Sequence, residues 1–156
     1  MINIIDRFLS KEEFDYILNY SEQAPYHYGE IDKKDALPTG MVHLVPKREM
    51  VYQLFESKTK SLFPDLVLNE IYINCFAPSE KPYFHTDWIN GVTCLYYPNQ
   101  KWELDDGGET QFFIDGEIRG VCPIPNRLVY FDANILHKAT TFRNRHRFTV
   151  AIKYGV

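Results

Sequence analysis

Apolar positions follow two regimes along the chain. Ser10 and Glu13 stand at capping-box spacing, and Phe14, Ile17 and Leu18 then recur at helical intervals up to the Ala24-Pro25 break. This predicts a helix over residues 11–24. Pro46 suits a first helical position, and Met50, Val51, Leu54, Phe55, Lys58 and Leu62 lay a stripe on a second helix that ends before Pro64. Between the two, residues 25–45 hold Pro25, Gly29, Pro38, Gly40 and several aromatics, a composition for a long ordered loop. From Leu66 the pattern changes to short runs rich in Val, Ile, Phe, Tyr and Thr, parted by Pro, Gly, Asn and Asp. They cover 66–76, 82–88, 92–97, 109–114, 117–122, 127–131, 137–142 and 147–154. Strands at this spacing, with no helical pattern between them, predict a closed or double-sheet antiparallel architecture rather than a parallel βαβ sheet. The two helices would cover one outer sheet face.

Length and composition narrow the picture. At 156 residues the chain is expected to form one domain, with residues 1–65 as a helical cover and loop and 66–154 as the β core. A hydrophobic share of 45% and an aromatic share of 15% supply enough apolar surface for a core and exclude a disordered composition. The net charge of -4 gives no global attraction to phosphate backbones or anionic lipid, so neither nucleic acid nor membrane is an expected partner. Three cysteines (Cys75, Cys94, Cys122) without CxxC spacing suggest neither a disulfide framework nor a zinc knuckle, and fit a reducing compartment. The start, Met1 to Asp6, has no basic segment ahead of a long apolar stretch, and the expectation is a soluble, cytoplasmic protein.

The first candidate chemistry is His85-Thr86-Asp87, because alternate residues of a strand point the same way and both side chains can meet one ion. With five His and ten Asp in 156 positions, chance alone supplies about 0.3 of one HxD, so the bland reading is a partly exposed strand. His137, some fifty residues later and directly after the apolar run Leu128 to Phe131, strengthens it, since antiparallel pairing can bring it alongside. Two imidazoles and a carboxylate form the facial triad of non-haem Fe(II), with zinc as the chemical competitor. Arg147 bears on that choice. It opens the run Phe148 to Ile152 ten residues after His137, and shares a strand face with Thr149, Ala151 and Lys153. An inward guanidinium beside a metal needs an anion, and a dicarboxylate chelating the metal at one end and meeting this planar fork at the other would satisfy both. For an isolated arginine a surface position is the favoured reading; the combination with the triad reverses it.

HxD at 85–87, His137 and Arg147 resemble the pattern of the 2-oxoglutarate- and iron-dependent dioxygenases, especially the prolyl 4-hydroxylase-like branch, over about Asn69 to Tyr154. Val92 to Asn99 resembles a strand of the animal oxygen-sensing prolyl hydroxylases, and the resemblance gives Tyr97 a contact with the far carboxylate of 2-oxoglutarate. Trp102 with the Gly107-Gly108-Glu109-Thr110 turn, and the Pro125 to Phe131 run, resemble the family's flanking segments. Where many relatives carry AsnxTyr, this chain has Asn74-Cys75-Phe76, so the tyrosine hydroxyl is lost while Asn74 keeps a polar contact. Thr149 resembles the serine of an Arg-x-Ser pairing that helps hold the same carboxylate.

The resemblance implies a double-stranded β-helix (jelly-roll, cupin-like) fold. It also implies Fe(II) on His85, Asp87 and His137, 2-oxoglutarate on Arg147, Tyr97, Thr149 and Asn74, and O2 and ascorbate as further requirements. The reaction implied is hydroxylation of a substrate carbon coupled to conversion of 2-oxoglutarate to succinate and CO2. The substrate class it favours is a prolyl residue in a peptide or protein. A free amino acid or small metabolite is the alternative, nucleobase repair ranks lower, and a non-catalytic metal-binding jelly-roll module is the competing class. The loop at 25–45 with residues 77–84 and 88–91 would frame the groove, and could carry His27 or His43 to its mouth. His27, His43 and His146 otherwise read as solvated or locally bonded, Tyr26, Tyr28, Tyr72 and Tyr83 as core or rim, Cys75 and Cys94 as buried small hydrophobes. Arg143, Arg145 and His146 read as a solvated turn, with a phosphate-contacting patch as the alternative.

Overall fold

The computed structural model describes residues 1–87 and 90–156. Ser10 caps the first helix as its spacing predicts: its Oγ accepts from the Glu13 amide at 3.2 Å, and α1 runs Lys11–Gln23 until Ala24 turns extended before Pro25. The second helix, α2 (Met50–Thr59), starts later than expected. Pro46 opens a turn closed by the Glu49 amide on its carbonyl at 3.0 Å, and a 3-10 turn over Lys60–Leu62 ends the segment.

Ten strands follow in chain order: β1 (Ile2–Ile5), β2 (His27–Tyr28), β3 (Met41–Leu44), β4 (Val67–Phe76), β5 (Gly91–Tyr96), β6 (Thr110–Ile114), β7 (Glu117–Val121), β8 (Leu128–Asp132), β9 (Leu136–Lys138) and β10 (Arg147–Gly155). Seven form an antiparallel sheet in the order β1-β8-β5-β10-β4-β3-β2, and three form a smaller one, β7-β6-β9. Leu95, Val129 and Ala151 of the large sheet pack against Phe112 and Val121 of the small one, so the sheets face each other as the double-stranded β-helix the resemblance implies.

Period-two geometry explains why β10, central in the large sheet, is buried on both sides. Val150, Ile152 and Tyr154 point outward to Ile17, Val51, Tyr52 and Phe55 of the two helices, which cover that face as expected. Arg147, Thr149, Ala151 and Lys153 point into the space between the sheets.

Three expectations are corrected. Residues 25–45 are not all loop: β2 and β3 extend the large sheet, with β3 in register on β4 (Val42 opposite Asn74). The 82–88 strand is absent up to residue 87, where only His85 bridges to His137; Pro82 removes a ladder donor, and the end of that run lies outside the described residues, as do positions 88 and 89 of the groove rim. The 137–142 strand stops at Lys138, because Thr140 turns its hydroxyl onto the Glu109 carbonyl at 2.7 Å and Thr141 its own onto that of Pro78 at 3.0 Å.

The amino-terminal segment is tied to the β core by side chains. Asn126, at φ 64°, accepts from the Leu9 amide and the Tyr96 hydroxyl at 2.9 Å each and donates to the Leu9 carbonyl at 2.8 Å. Arg127 makes a forked pair with Asp6 at 2.7 and 3.1 Å. Among the described residues, no helix is long and apolar enough to cross a membrane.

Candidate active site

The isolated bridge between His85 and His137, with amide-to-carbonyl distances of 3.0 and 2.9 Å, sets the two imidazoles side by side with ring centroids 4.5 Å apart. Each Nδ1 lies against a backbone carbonyl, His85 on Tyr83 at 3.0 Å and His137 on Ile135 at 2.8 Å. A carbonyl only accepts, so each Nδ1 carries a proton and Nε2 is left as the nitrogen that can face a metal. Both Nε2 atoms face Asp87, at 3.8 Å from Oδ1 for His85 and 3.5 Å from Oδ2 for His137. One ligand atom from each of the three residues lies within 4.8 Å of the others, a spacing that can close on one metal ion. Burial pushes His137 down to about 4, which keeps it neutral near pH 7, the form a metal needs.

Asp87 comes from a loop, and its direction is set from the opposite sheet. Its Oδ2 accepts from the Thr93 hydroxyl on β5 and the Lys153 ammonium on β10, each at 2.5 Å. Burial alone would raise this carboxyl, but the ammonium and the hydroxyl outweigh it and hold it below the usual carboxylate value.

Arg147 lies deeper, 1% exposed. Its Nε donates to the Gly108 carbonyl at 2.7 Å, Nη1 to Thr149 Oγ1 at 2.5 Å and Nη2 to Thr110 Oγ1 at 3.0 Å, with the guanidinium over the Tyr97 ring at 5.5 Å. The approach to Gly108 demands glycine: the backbone sits at φ 78° and an added Cβ would meet the Phe142 ring at 2.4 Å. Among the described residues no carboxylate pairs with Arg147, so a buried positive charge is met by neutral oxygens alone. An anion is the missing partner.

A narrow cavity joins these parts; His85, His137, Asn74, Arg147, Thr149 and Lys153 are among its walls. Among the described residues Asn74 Oδ1 is buried with no hydrogen-bond partner; a dicarboxylate only accepts, so a contact from Asn74 would come from its amide NH2. The structure thus brings His85, Asp87, His137, Arg147, Thr149 and Asn74 together. Tyr97 is placed differently from the contact expected of it: it stands behind the wall, its hydroxyl bonded to Thr110 Oγ1 at 2.7 Å, so its ring supports Arg147 and Thr110 takes the forward position. Phe76 lies against Gly40, where a Cβ would meet its ring at 2.5 Å, and contributes an apolar wall.

The 2OG-Fe(II) oxygenase superfamily model matches residues 73–154, more than half of the chain, including His85, Asp87, His137 and Arg147. The chain belongs to the 2OG-Fe(II) oxygenase superfamily. Membership implies Fe(II), 2-oxoglutarate and O2, and the donor set fits: two imidazoles and a carboxylate for the metal, a buried guanidinium lacking an anion for the keto acid. The fold is similar to a Trichoplax adhaerens prolyl hydroxylase in complex with a hypoxia inducible factor peptide fragment (19% identity, 99% of this chain and 83% of that one, TM-score 0.80). It is also similar to a Pseudomonas putida prolyl-4-hydroxylase (16%, 99% and 91%, 0.77) and to HygX of Streptomyces hygroscopicus with nickel and 2-oxoglutarate bound (12%, 99% and 82%, 0.76). Comparison with curated proteins gives no match.

Around the oxygenase site, residues 25–45 and 77–84 are stapled together. Asp32 Oδ2 accepts from Thr39 Oγ1 at 2.9 Å and the Tyr83 amide at 2.8 Å, while Glu80 accepts from the Gly40 and Ala77 amides at 2.7 Å each. Glu30 reaches the cavity from the same loop. Burial, with the Asp32 carboxylate beside it, pushes it up to about 7.

His43 is held away from the cavity by the Tyr20 hydroxyl at 2.9 Å, and His27 lines a separate groove. The basic turn is not simply solvated, since Arg145 pairs with Asp106 at 2.9 Å and Arg143 Nε bonds the Asp105 carbonyl at 3.0 Å. Sequence reasoning missed Thr110 and Lys153 as site residues. The signals were present, Lys153 in the two-residue steps from Arg147 and Thr110 directly after Gly107-Gly108-Glu109.

Proposed function

We propose that this oxygenase hydroxylates a carbon of a prolyl residue in a peptide or protein. His85, Asp87 and His137 hold Fe(II), and Arg147, Thr149 and Asn74 receive 2-oxoglutarate. The observation that carries the reading is the buried Arg147 guanidinium, without a carboxylate of its own, in the cavity that the two imidazoles line. A structural metal site has no use for a second, anion-seeking charge at that depth.

When bound, Fe(II) and 2-oxoglutarate supply O2-dependent oxidation of a substrate C–H bond, with succinate and CO2 formed. The chain's own residues do the rest. The Tyr83 and Ile135 carbonyls fix both imidazoles with Nε2 inward. The Arg147 fork, braced by Thr110, Thr149 and the Gly108 carbonyl, sets the direction of the dicarboxylate. Phe76, Leu95, Ala139 and Ala151 give the cavity apolar walls that exclude water from the reacting centre. The stapled segments 25–45 and 77–84 border the mouth, where a peptide would lie.

The prolyl assignment draws on the fold likeness to prolyl hydroxylases, one of them peptide-bound. Its test is incubation of prolyl peptides and free amino acids with protein, Fe(II), 2-oxoglutarate, ascorbate and air, reading succinate and a mass gain of one oxygen. The expected result is oxygen gained on a prolyl peptide, with ascorbate sustaining turnover. Oxygen gained only on a free amino acid or metabolite would move the substrate class; absence of both succinate and 2-oxoglutarate binding would leave a metal-binding module.

A further inference from the structure

Lys153 is a buried lysine outside the metal triad and not among the hydrogen-bond partners of Arg147. It ends the inward row of β10 at 5% exposure, with Nζ 2.5 Å from Asp87 Oδ2 and 3.3 Å from Thr93 Oγ1. Thr93 is itself fully buried and lies 2.5 Å from the same carboxylate oxygen, so ammonium, hydroxyl and carboxylate close a triangle. Among the described residues no strand ladder aims Asp87; its amide donates to the Ala133 carbonyl at 2.9 Å. Among the described residues its side chain is bonded to the large sheet through Thr93 and Lys153. Among the described residues Oδ1 has no hydrogen-bond partner, and it stands 3.8 Å from His85 Nε2.

Resting on the reading that His85, Asp87 and His137 ligate the metal, we propose that Lys153, together with Thr93, is a positioning residue for the metal site: the pair locks the Asp87 carboxylate by Oδ2 and presents Oδ1 to the ion. Two charge-assisted bonds on one oxygen stop rotation of the carboxylate and spread part of its charge away from the metal. The competing view makes the ammonium a stand-in that occupies Asp87 until a metal displaces it. The two differ in sign. A positioning lysine strengthens metal binding, whereas a competing one weakens it.

Co(II) serves as the probe, titrated anaerobically into wild-type protein, Lys153→Met, Lys153→Arg, Thr93→Val and His137→Ala, and followed by affinity and by its visible absorption spectrum. Lys153→Met should bind Co(II) about 10- to 100-fold more weakly with an altered spectrum, the usual range for loss of a group that orients a ligand. Thr93→Val should shift the same way, and Lys153→Arg should recover most of the loss. Equal or tighter Co(II) binding by Lys153→Met, with an unchanged spectrum, overturns the proposal. Urea unfolding of the metal-free variants separates misfolding from misplacement, and the nearly isosteric Thr93→Val keeps the test valid should Lys153→Met not fold. Wild-type Co(II) binding that His137→Ala does not diminish would instead overturn the metal site itself.

Discussion

Arg147→Met tests the anion site at its strongest point. Methionine fills much of the same buried volume but removes the donors to Gly108, Thr110 and Thr149 and the charge above Tyr97. Truncating one partner of a buried, hydrogen-bonded charge pair costs about 2–5 kcal/mol, and roughly 1.4 kcal/mol is tenfold in affinity, so 2-oxoglutarate should bind roughly 30- to 4,000-fold more weakly. None of the Arg147 partners is a triad residue, so Mn(II) affinity measured without 2-oxoglutarate should stay unchanged. Arg147→Lys keeps the charge without the planar fork and should fall between the two. The assay is anaerobic calorimetry of 2-oxoglutarate into Mn(II)-loaded protein, with Mn(II) occupancy followed by electron paramagnetic resonance. A 2-oxoglutarate affinity within about threefold of wild type in Arg147→Met would refute the reasoning, because a fully buried partner cannot be lost so lightly.

Three further outcomes are expected. His137→Ala removes one of three ligands and should abolish Mn(II) retention through gel filtration; full metal content in the variant contradicts the triad. Burial raises Glu30 from its ordinary value to about 7, so between about pH 4.5 and 7 the folded chain binds more protons than the unfolded one and stability falls as pH rises. Glu30→Gln should therefore melt higher than wild type at pH 8, with the difference vanishing near pH 4; a difference independent of pH would count against this. Asn126→Ala leaves the Leu9 amide and carbonyl and the Tyr96 hydroxyl without partners, at roughly 1–3 kcal/mol for each group water does not reach. Its urea midpoint should drop clearly, and an unchanged midpoint would show that the clamp contributes nothing.

The parts legible in the sequence are those written by local periodicity. The β10 alternation set Arg147, Thr149, Ala151 and Lys153 on one face, and six strand runs, from Val67–Phe76 to Arg147–Gly155, stand within one residue of their expected bounds. Pairing across long distances was not legible. β1 exists only because Ile2 to Ile5 find Leu128 to Phe131, and β2 and β3 only because β4 offers an edge; nothing local marks them as strands. The same cause misled in the other direction at 82–88, where Tyr83 and Phe84 read as strand but, among the described residues, no partner lies alongside beyond the His85 bridge. In the site, identities and faces were readable and contacts were not. Lys153 was placed on the Arg147 face, but its bond to Asp87 depends on a loop meeting a sheet, and the Tyr97 hydroxyl turns to Thr110 for reasons of packing depth.

The most direct measurement is a crystal structure of the chain grown anaerobically with Mn(II) and 2-oxoglutarate. The account predicts one ion bound by His85 Nε2, His137 Nε2 and a single Asp87 oxygen, with the keto acid's far carboxylate on the Arg147 guanidinium and Thr149. Metal bound away from these three residues, or 2-oxoglutarate lying with Arg147 still facing only Gly108, Thr110 and Thr149, would contradict it.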